Sequence, residues 1–330
     1  MALLILVSVP LLMLVVLANL GQNLAWARWL TYLALLALAG LVTLTGFGVL
    51  LLPPESLSAA LPPGLNPDLN GFGRWLILTG VLAGFPPLAA ITAALAGRSP
   101  RLGPLAWAQP VPTTALVFVV LFAGTNLSQN TLLDDPAKLA ELGLSVGIGD
   151  LAVQTLLFVL MAVLGVGLGI RRSGRETLAR LGLRLPALAD LRPVVLGTVG
   201  LLVLSLLAGS VLTLVSPESS AAAEAMNSLL IGAFQSIPGA LILGLLSGIG
   251  EEMLYRGALQ PAFGLWATSF IFAIHHIQYL NLAIVLIFLL GLALGWIRNR
   301  YSTTTAALVH AAYNATLVIL SIYAANLVGS

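Results

Sequence analysis

No cysteine occurs in this chain, which excludes disulfides, thiol nucleophiles and cysteine-ligated metals. Charge is nearly as scarce. Charged residues make up 8% of the 330 positions, against about 25% in soluble domains, so no soluble domain of this length would have the polar surface to cover its apolar side chains. The formal net charge is only +2, and the arginines sit at the ends of apolar runs. That pattern offers no basic face for nucleic acid. Histidine is limited to His275, His276 and His310.

What the chain has in excess is apolar sequence, 59% of the total. Runs of roughly 20 apolar residues match a hydrocarbon layer about 30 Å thick, and only helices or closed barrels satisfy their own backbone in lipid. The sequence therefore predicts an all-α fold, a polytopic integral membrane helical bundle of about ten transmembrane helices. The expected spans are residues 2–20, 29–52, 75–97, 111–128, 149–170, 193–215, 230–262, 264–278, 281–297 and 303–325. The run Ala2–Leu20 has no basic n-region, so it reads as a retained span and not a cleaved signal. Membrane lipids are the implied surroundings. Together with the absence of cysteine and of targeting extensions, this points to a bacterial inner membrane.

Arginine placement gives the expected orientation. Arg28, then Arg98 and Arg101, then Arg171 to Arg192, then Arg298 and Arg300 fall on alternate connections. Glu55 and Asp68, then Asp134, Asp135 and Glu141, then Glu218 and Glu224 occupy the intervening loops. Both termini would then lie outside. Trp26, Trp29, Trp75, Trp266 and Trp296 fall at span ends, as interfacial anchors do. Ser173 and Glu176 have capping-box spacing, which predicts a short basic helix along the inner surface. Pro86-Pro87 and Pro238 are expected to kink or break their spans. Gly244-x-x-x-Gly248 and Gly291-x-x-x-Gly295 offer close helix approach.

The most informative feature is a pair of adjacent carboxylates, Glu251 and Glu252, deep in an apolar stretch and followed by Arg256. A charge there costs about 3 kcal/mol or more on insertion scales, so an intramembrane acid marks a functional site by default. Glu252 and Arg256 are i,i+4 and should pair on one face, which leaves Glu251 free for another partner. A turn is expected near Phe263-Gly264. Glu251 and His276 would then lie about 18 Å from that turn, and His310 about 12 Å beyond the turn at 298–302. Three spans would bring a carboxylate and two imidazoles to similar depth. Asn314 shares a face with His310, and His275 points elsewhere as a packing residue.

These groups suit hydrolysis. A carboxylate held away from bulk water is a stronger base towards water than an exposed one. Imidazole and amide groups can donate to the oxyanion that forms when water attacks a carbonyl. Alternatively, Glu251, His276 and His310 are three candidate ligands for a divalent metal such as Zn2+ with an open fourth position. The sequence leaves the metal-dependent and metal-independent readings open.

At these residues the chain resembles the CPBP family, also called Abi or CAAX-protease-like intramembrane proteases. The family pattern EExxxR, FxxxH, HxxxN appears as Glu251-Glu252-Met253-Leu254-Tyr255-Arg256, Phe272-Ala273-Ile274-His275-His276 and His310-Ala311-Ala312-Tyr313-Asn314. The order and internal spacings match, with Tyr255 where Phe is usual and a short connection before His276. The resemblance covers roughly residues 171–325. It divides the chain into accessory spans at 1–170 and a CPBP-like catalytic membrane domain at 171–330. It implies an intramembrane endopeptidase that cleaves a membrane-associated, in some relatives lipidated, protein or peptide, in a cavity between the last four spans. Implied roles are Glu251 activating water, His276 as its partner, His310 with Asn314 stabilising the oxyanion, and Glu252 and Arg256 in support. Some relatives are scaffolds or bacteriocin-immunity proteins, and that is the alternative reading.

Rival protease patterns are weaker. Gly147-Ile148-Gly149-Asp150 matches the GxGD pattern of intramembrane aspartyl proteases, but no second Asp is expected at membrane depth. Gly244-Leu245-Leu246-Ser247-Gly248 misses the rhomboid serine motif by one residue, which makes Ser247 a packing residue. HExxH is absent. Paired broken helices or inverted repeats, the marks of a transporter, are not evident.

Overall fold

The computed structural model describes residues 2–58, 68–96, 108–131, 146–276 and 282–328. They form α1 (Ala2–Leu20), α2 (Ala25–Leu51), α3 (Pro54–Ser58), α4 (Leu69–Leu95), α5 (Pro110–Asn130), α6 (Ile148–Gly165), α7 (Gly174–Leu181), α8 (Leu191–Val215), α9 (Pro217–Ile231), α10 (Ile237–Glu251), a π-helical segment (Glu252–Leu259), α11 (Gln260–His275), α12 (Ala283–Arg300) and α13 (Thr303–Val328). No strand occurs among the described residues. A single bridge joins Leu168 to Arg172. The fold is thus all-α, and the chain is a polytopic integral membrane protein.

Among the described residues, eight stretches are long and apolar enough to cross a membrane, and Ser8–Leu20 is a shorter apolar helix. The difference from about ten spans has two equal parts: the first expected span appears only as the shorter Ser8–Leu20, and Ile237–His275 is one continuous stretch of 39 residues. It contains the turn expected near Phe263-Gly264: Gly264 has φ 81° and ψ 173°, a backbone state that only glycine adopts without strain. The seventh and eighth expected spans are the two arms of this broken helix. Residues 277 and 278, like Arg98, Arg101, Asp134, Asp135 and Glu141, lie outside the described residues.

Several boundaries moved for identifiable reasons. The seventh span begins at Ile237 and not at 230, because Ser236 accepts a hydrogen bond from Gly239 N at 3.1 Å and starts a helix. Pro238 lies in that first turn, where a missing N–H costs nothing, so it starts the helix and does not break it. Glu218 and Glu224, expected in a loop, lie on α9. Pro217 at its first turn and the Ser216 cap favour a helix there. Through Pro86-Pro87, α4 continues without interruption.

The chain divides into two compact units, Ile5–Lys138 and Leu139–Ser330 (the latter with Met1–Leu4). Within the first, α2, α4 and α5 pack together, and Tyr32 donates from its hydroxyl to Ala108 O at 2.7 Å. Within the second, α10 packs against α13. Their approach depends on the GxxxG pair: a Cβ on Gly244 would stand 2.3 Å from Ala311 O, and one on Gly248 2.7 Å from Ala307 O. Helix α6 also joins this unit, where Thr155 Oγ1 donates to Leu246 O at 3.0 Å. Leu201, Leu290, Leu294, Ile297, Val309 and Tyr313 form an apolar core between α8, α12 and α13. The capping box predicted at α7 is present, with Glu176 Oε2 accepting from Ser173 N at 2.8 Å.

Candidate active site

Glu251 is the last residue of α10, and Glu252 opens the π-helical segment. The widened turn is marked by Gln260 N donating to Tyr255 O, five residues back. Such bulges cluster at functional sites because they re-aim side chains along a helix. Glu252, Tyr255 and Arg256 are all buried along it. Nothing in the apolar spacing distinguishes this segment from ordinary α-helix.

The expected Glu252–Arg256 pair is present, with Arg256 Nε 3.3 Å from Glu252 Oε2 and both side chains fully buried. The other Glu252 oxygen, Oε1, lies 3.0 Å from His310 Nδ1 on α13. One carboxylate therefore holds a guanidinium and an imidazole. Arg256 also lies over the ring of Phe272, 4.8 Å from its centroid, a cation–π contact that helps to hold a buried charge.

Glu251 faces His276 instead. Its Oε2 lies 3.7 Å from His276 Nε2, and that oxygen is buried without a hydrogen-bond partner. His276 closes α11, and its Nδ1 donates to Phe272 O at 2.9 Å. A carbonyl only accepts, so Nδ1 carries the proton of the neutral ring and Nε2 presents a lone pair towards Glu251. Two acceptors at 3.7 Å make no direct bond. A water molecule, with two hydrogens to give, satisfies both.

Asn314 Nδ2 donates to Ser247 Oγ at 2.8 Å, and Ser247 Oγ donates onward to Leu243 O at 2.8 Å. Ser247 thus orients Asn314, beyond the packing role read from sequence. The signal available was its position one helical turn before Glu251, on the same face. Phe272, the aromatic of the FxxxH pattern, lies between the two imidazoles. Its ring lies 4.6 Å from that of His276 and 6.2 Å from that of His310, so one aromatic side chain touches each polar arm of the site. His275 packs edge-on against Phe158 and Tyr255, as expected of a packing residue.

The structure thus brings Glu251, Glu252, Arg256, His276 and His310 together, with Asn314 one turn beyond His310. It does not assemble the three-ligand alternative. Among the described residues no group of three or more His, Asp or Glu side chains is placed to hold a metal ion. The reason is that the two imidazoles meet different carboxylates, His276 with Glu251 and His310 with Glu252. The GxGD reading also falls away. Asp150 is exposed and accepts from Gly147 N at 3.1 Å, which makes it a helix cap.

Comparison with known proteins points the same way. A family model described as type II CAAX prenyl endopeptidase Rce1-like matches residues 233–316, the segment that contains every motif residue above. An uncharacterized protein of Bacillus subtilis (strain 168), YpbD, is 44% identical over 78 residues, or 22% of this chain and 41% of the relative. The match thus spans less than half of that relative's length. No solved structure matches the chain. Residues 233–316, which hold both the motif and the site, are thus similar to the Rce1-like type II CAAX prenyl endopeptidases.

Proposed function

We propose that this protein is an intramembrane endopeptidase that hydrolyses a peptide bond of a membrane-associated, in some cases lipidated, protein or peptide. The observation that carries the reading is Glu251 Oε2, buried and without a hydrogen-bond partner opposite His276 Nε2. Water bound between them gives one proton to Glu251 as its oxygen attacks the substrate carbonyl carbon. The tetrahedral oxyanion is held by His310 Nε2–H and the free N–H of Asn314. The C–N bond then breaks, and the proton on Glu251 passes to the leaving amine.

His310 donates through Nε2 only as an imidazolium, because Nδ1 already donates to Glu252. Charge balance favours that state: Glu251 and Glu252 are then matched by Arg256 and His310. His276 fixes the water, and Ser247 fixes Asn314.

Cleavage of a membrane-peptide library, lipidated sequences included, in liposomes tests the reading. Wild type is expected to cut, and Glu251→Gln and His310→Ala to be inactive. Intact cutting by both variants, or none by wild type while a cellular role survives both changes, would leave the scaffold reading instead.

A further inference from the structure

Away from that site, α7, α12 and α13 build a second polar locus in the same compact unit. A cleft of about 420 Å³ is lined by Gly182, Arg184, Arg298, Asn299, Ser302 and Thr303, among others. That volume is within the usual range for small-ligand sites. The walls are tied together. Thr303 N donates to Gly182 O at 3.1 Å, Arg184 N donates to Thr304 Oγ1 at 3.0 Å, and Thr304 Oγ1 donates to Arg184 O at 2.9 Å. Gly182 has φ +70°, so the wall at that point carries no side chain.

The cleft is charged in one sense. Arg184 is neutralised, with Nη1 donating to Asp190 Oδ2 at 2.7 Å, and Asp190 is further held by Thr305 Oγ1 at 2.9 Å. Arg298 has no carboxylate within ion-pair distance among the described residues, and its Nη1 donates only to Asn299 Oδ1, at 3.2 Å. Its field reaches Arg180 on α7, whose guanidinium is held below its ordinary range by burial, then by the charges of Arg172 and Arg298. Ser302 caps the 26-residue α13 by accepting from Thr305 N at 3.0 Å, so the positive end of a long helix opens on the cleft. The independent sign of a ligand is Thr303. Its side chain is fully buried at the cleft wall, and its Oγ1 has no hydrogen-bond partner.

We infer that this cleft binds a phosphate group, with Arg298 supplying the charged fork, Thr303 a hydroxyl donor and the start of α13 its dipole. A tetrahedral oxyanion uses all three at once, since each of its oxygens takes a separate donor. The phosphate comes either from an anionic phospholipid headgroup or from a soluble phosphate compound.

The test is native mass spectrometry of the full chain in detergent, titrated with phosphatidylglycerol, with phosphatidylcholine and with inorganic pyrophosphate. Wild type should retain one phosphatidylglycerol, or one pyrophosphate, in preference to phosphatidylcholine, and the preferred anion identifies the source. Arg298→Gln and Thr303→Val should each weaken that adduct, Arg298→Gln by about tenfold or more. Thr303→Ser should restore it, and Arg192→Gln, which removes an equal charge from the first turn of α8, should leave it unchanged. Equal loss in Arg192→Gln would reduce the effect to surface charge and overturn the site. So would the absence of any preference for the two anions, or adducts indifferent to Arg298 and Thr303. Peptide cleavage is not the readout, so this result and that of the protease test stand apart.

Discussion

His310 Nδ1 and Glu252 Oε1 lie 3.0 Å apart on different helices, and the same carboxylate reaches Arg256 Nε at 3.3 Å. Glu252 is therefore the joint between the π-helical segment and α13, and its neighbour Glu251 is left out of that network. The two adjacent acids have separate hydrogen-bonding partners, which predicts that their mutation affects stability in opposite ways.

For Glu252, loss of the charge strands a fully buried guanidinium whose only carboxylate within ion-pair reach, among the described residues, is Glu252. Breaking a buried pair in this way costs about 3–5 kcal/mol. Glu252→Gln should lower the Tm sharply and remove activity. Adding Arg256→Met should recover much of the Tm without recovering cleavage, because His310 still lacks the carboxylate that holds its Nδ1. Thermal melts in detergent beside cleavage rates separate the two effects. Recovery of both together would contradict the assignment.

For Glu251, the buried Oε2 has no hydrogen bond to lose. Glu251→Gln keeps the shape and removes a buried charge, so the Tm should hold or rise. Cleavage should fall by about 10²- to 10⁴-fold, the usual contribution of a general base. A structural ion-pair role for Glu251 predicts the reverse, a lower Tm with activity largely kept.

The asymmetry between the two acids was partly visible in the sequence. The i,i+4 spacing of Glu252 and Arg256 placed that pair, and helical rise alone brought Glu251, His276 and His310 to similar depth. The pairing of His310 with Glu252 in preference to Glu251 was not readable. It depends on the π-helical turn, and a widened turn leaves no mark in apolar periodicity. The break at Gly264 was legible because glycine next to a span end signals a turn. The helical state of Glu218 and Glu224 was not, because charge suggested a loop and the decisive feature was the Ser216–Pro217 start. The role of Ser247 needed a partner on another helix, which no local pattern encodes.

Ser247 allows a gentler test of the oxyanion arm. Its hydroxyl holds Asn314 at 2.8 Å, so Ser247→Ala removes the orienting contact and leaves the Asn314 amide in place. Loss of such a supporting partner typically costs about 10–100-fold. The expected outcome is a fall in kcat with KM nearly unchanged, since the contact matters most when charge develops on the substrate oxygen. A change confined to KM would make Ser247 part of substrate binding.

The separate pairing of the imidazoles also bears on metal dependence. His276 and His310 meet different carboxylates, and among the described residues no three ligating side chains converge. Dialysis against a strong chelator, followed by cleavage assays in chelated buffer, should leave the rate unchanged. A loss that zinc restores would show that the two arms close around an ion in the working enzyme.

A close backbone approach in this unit sets up the last expectation. A Cβ on Gly248 would stand 2.7 Å from Ala307 O and 2.9 Å from Ala311 N. In an ordinary helix Gly→Ala is stabilising by about 1 kcal/mol. Here the added methyl meets the backbone of α13, which cannot swing aside as a side chain can, and overpacking of this kind costs about 1–3 kcal/mol. The sign should therefore invert, and Gly248→Ala should lower the Tm. Because α13 carries His310 and Asn314, the displacement also draws them away from Glu252 and Ser247, so cleavage should fall further than the stability loss explains. Gly200→Ala, on α8 with nothing within 4 Å of the added Cβ, is the control. It should leave both the Tm and the rate near wild type.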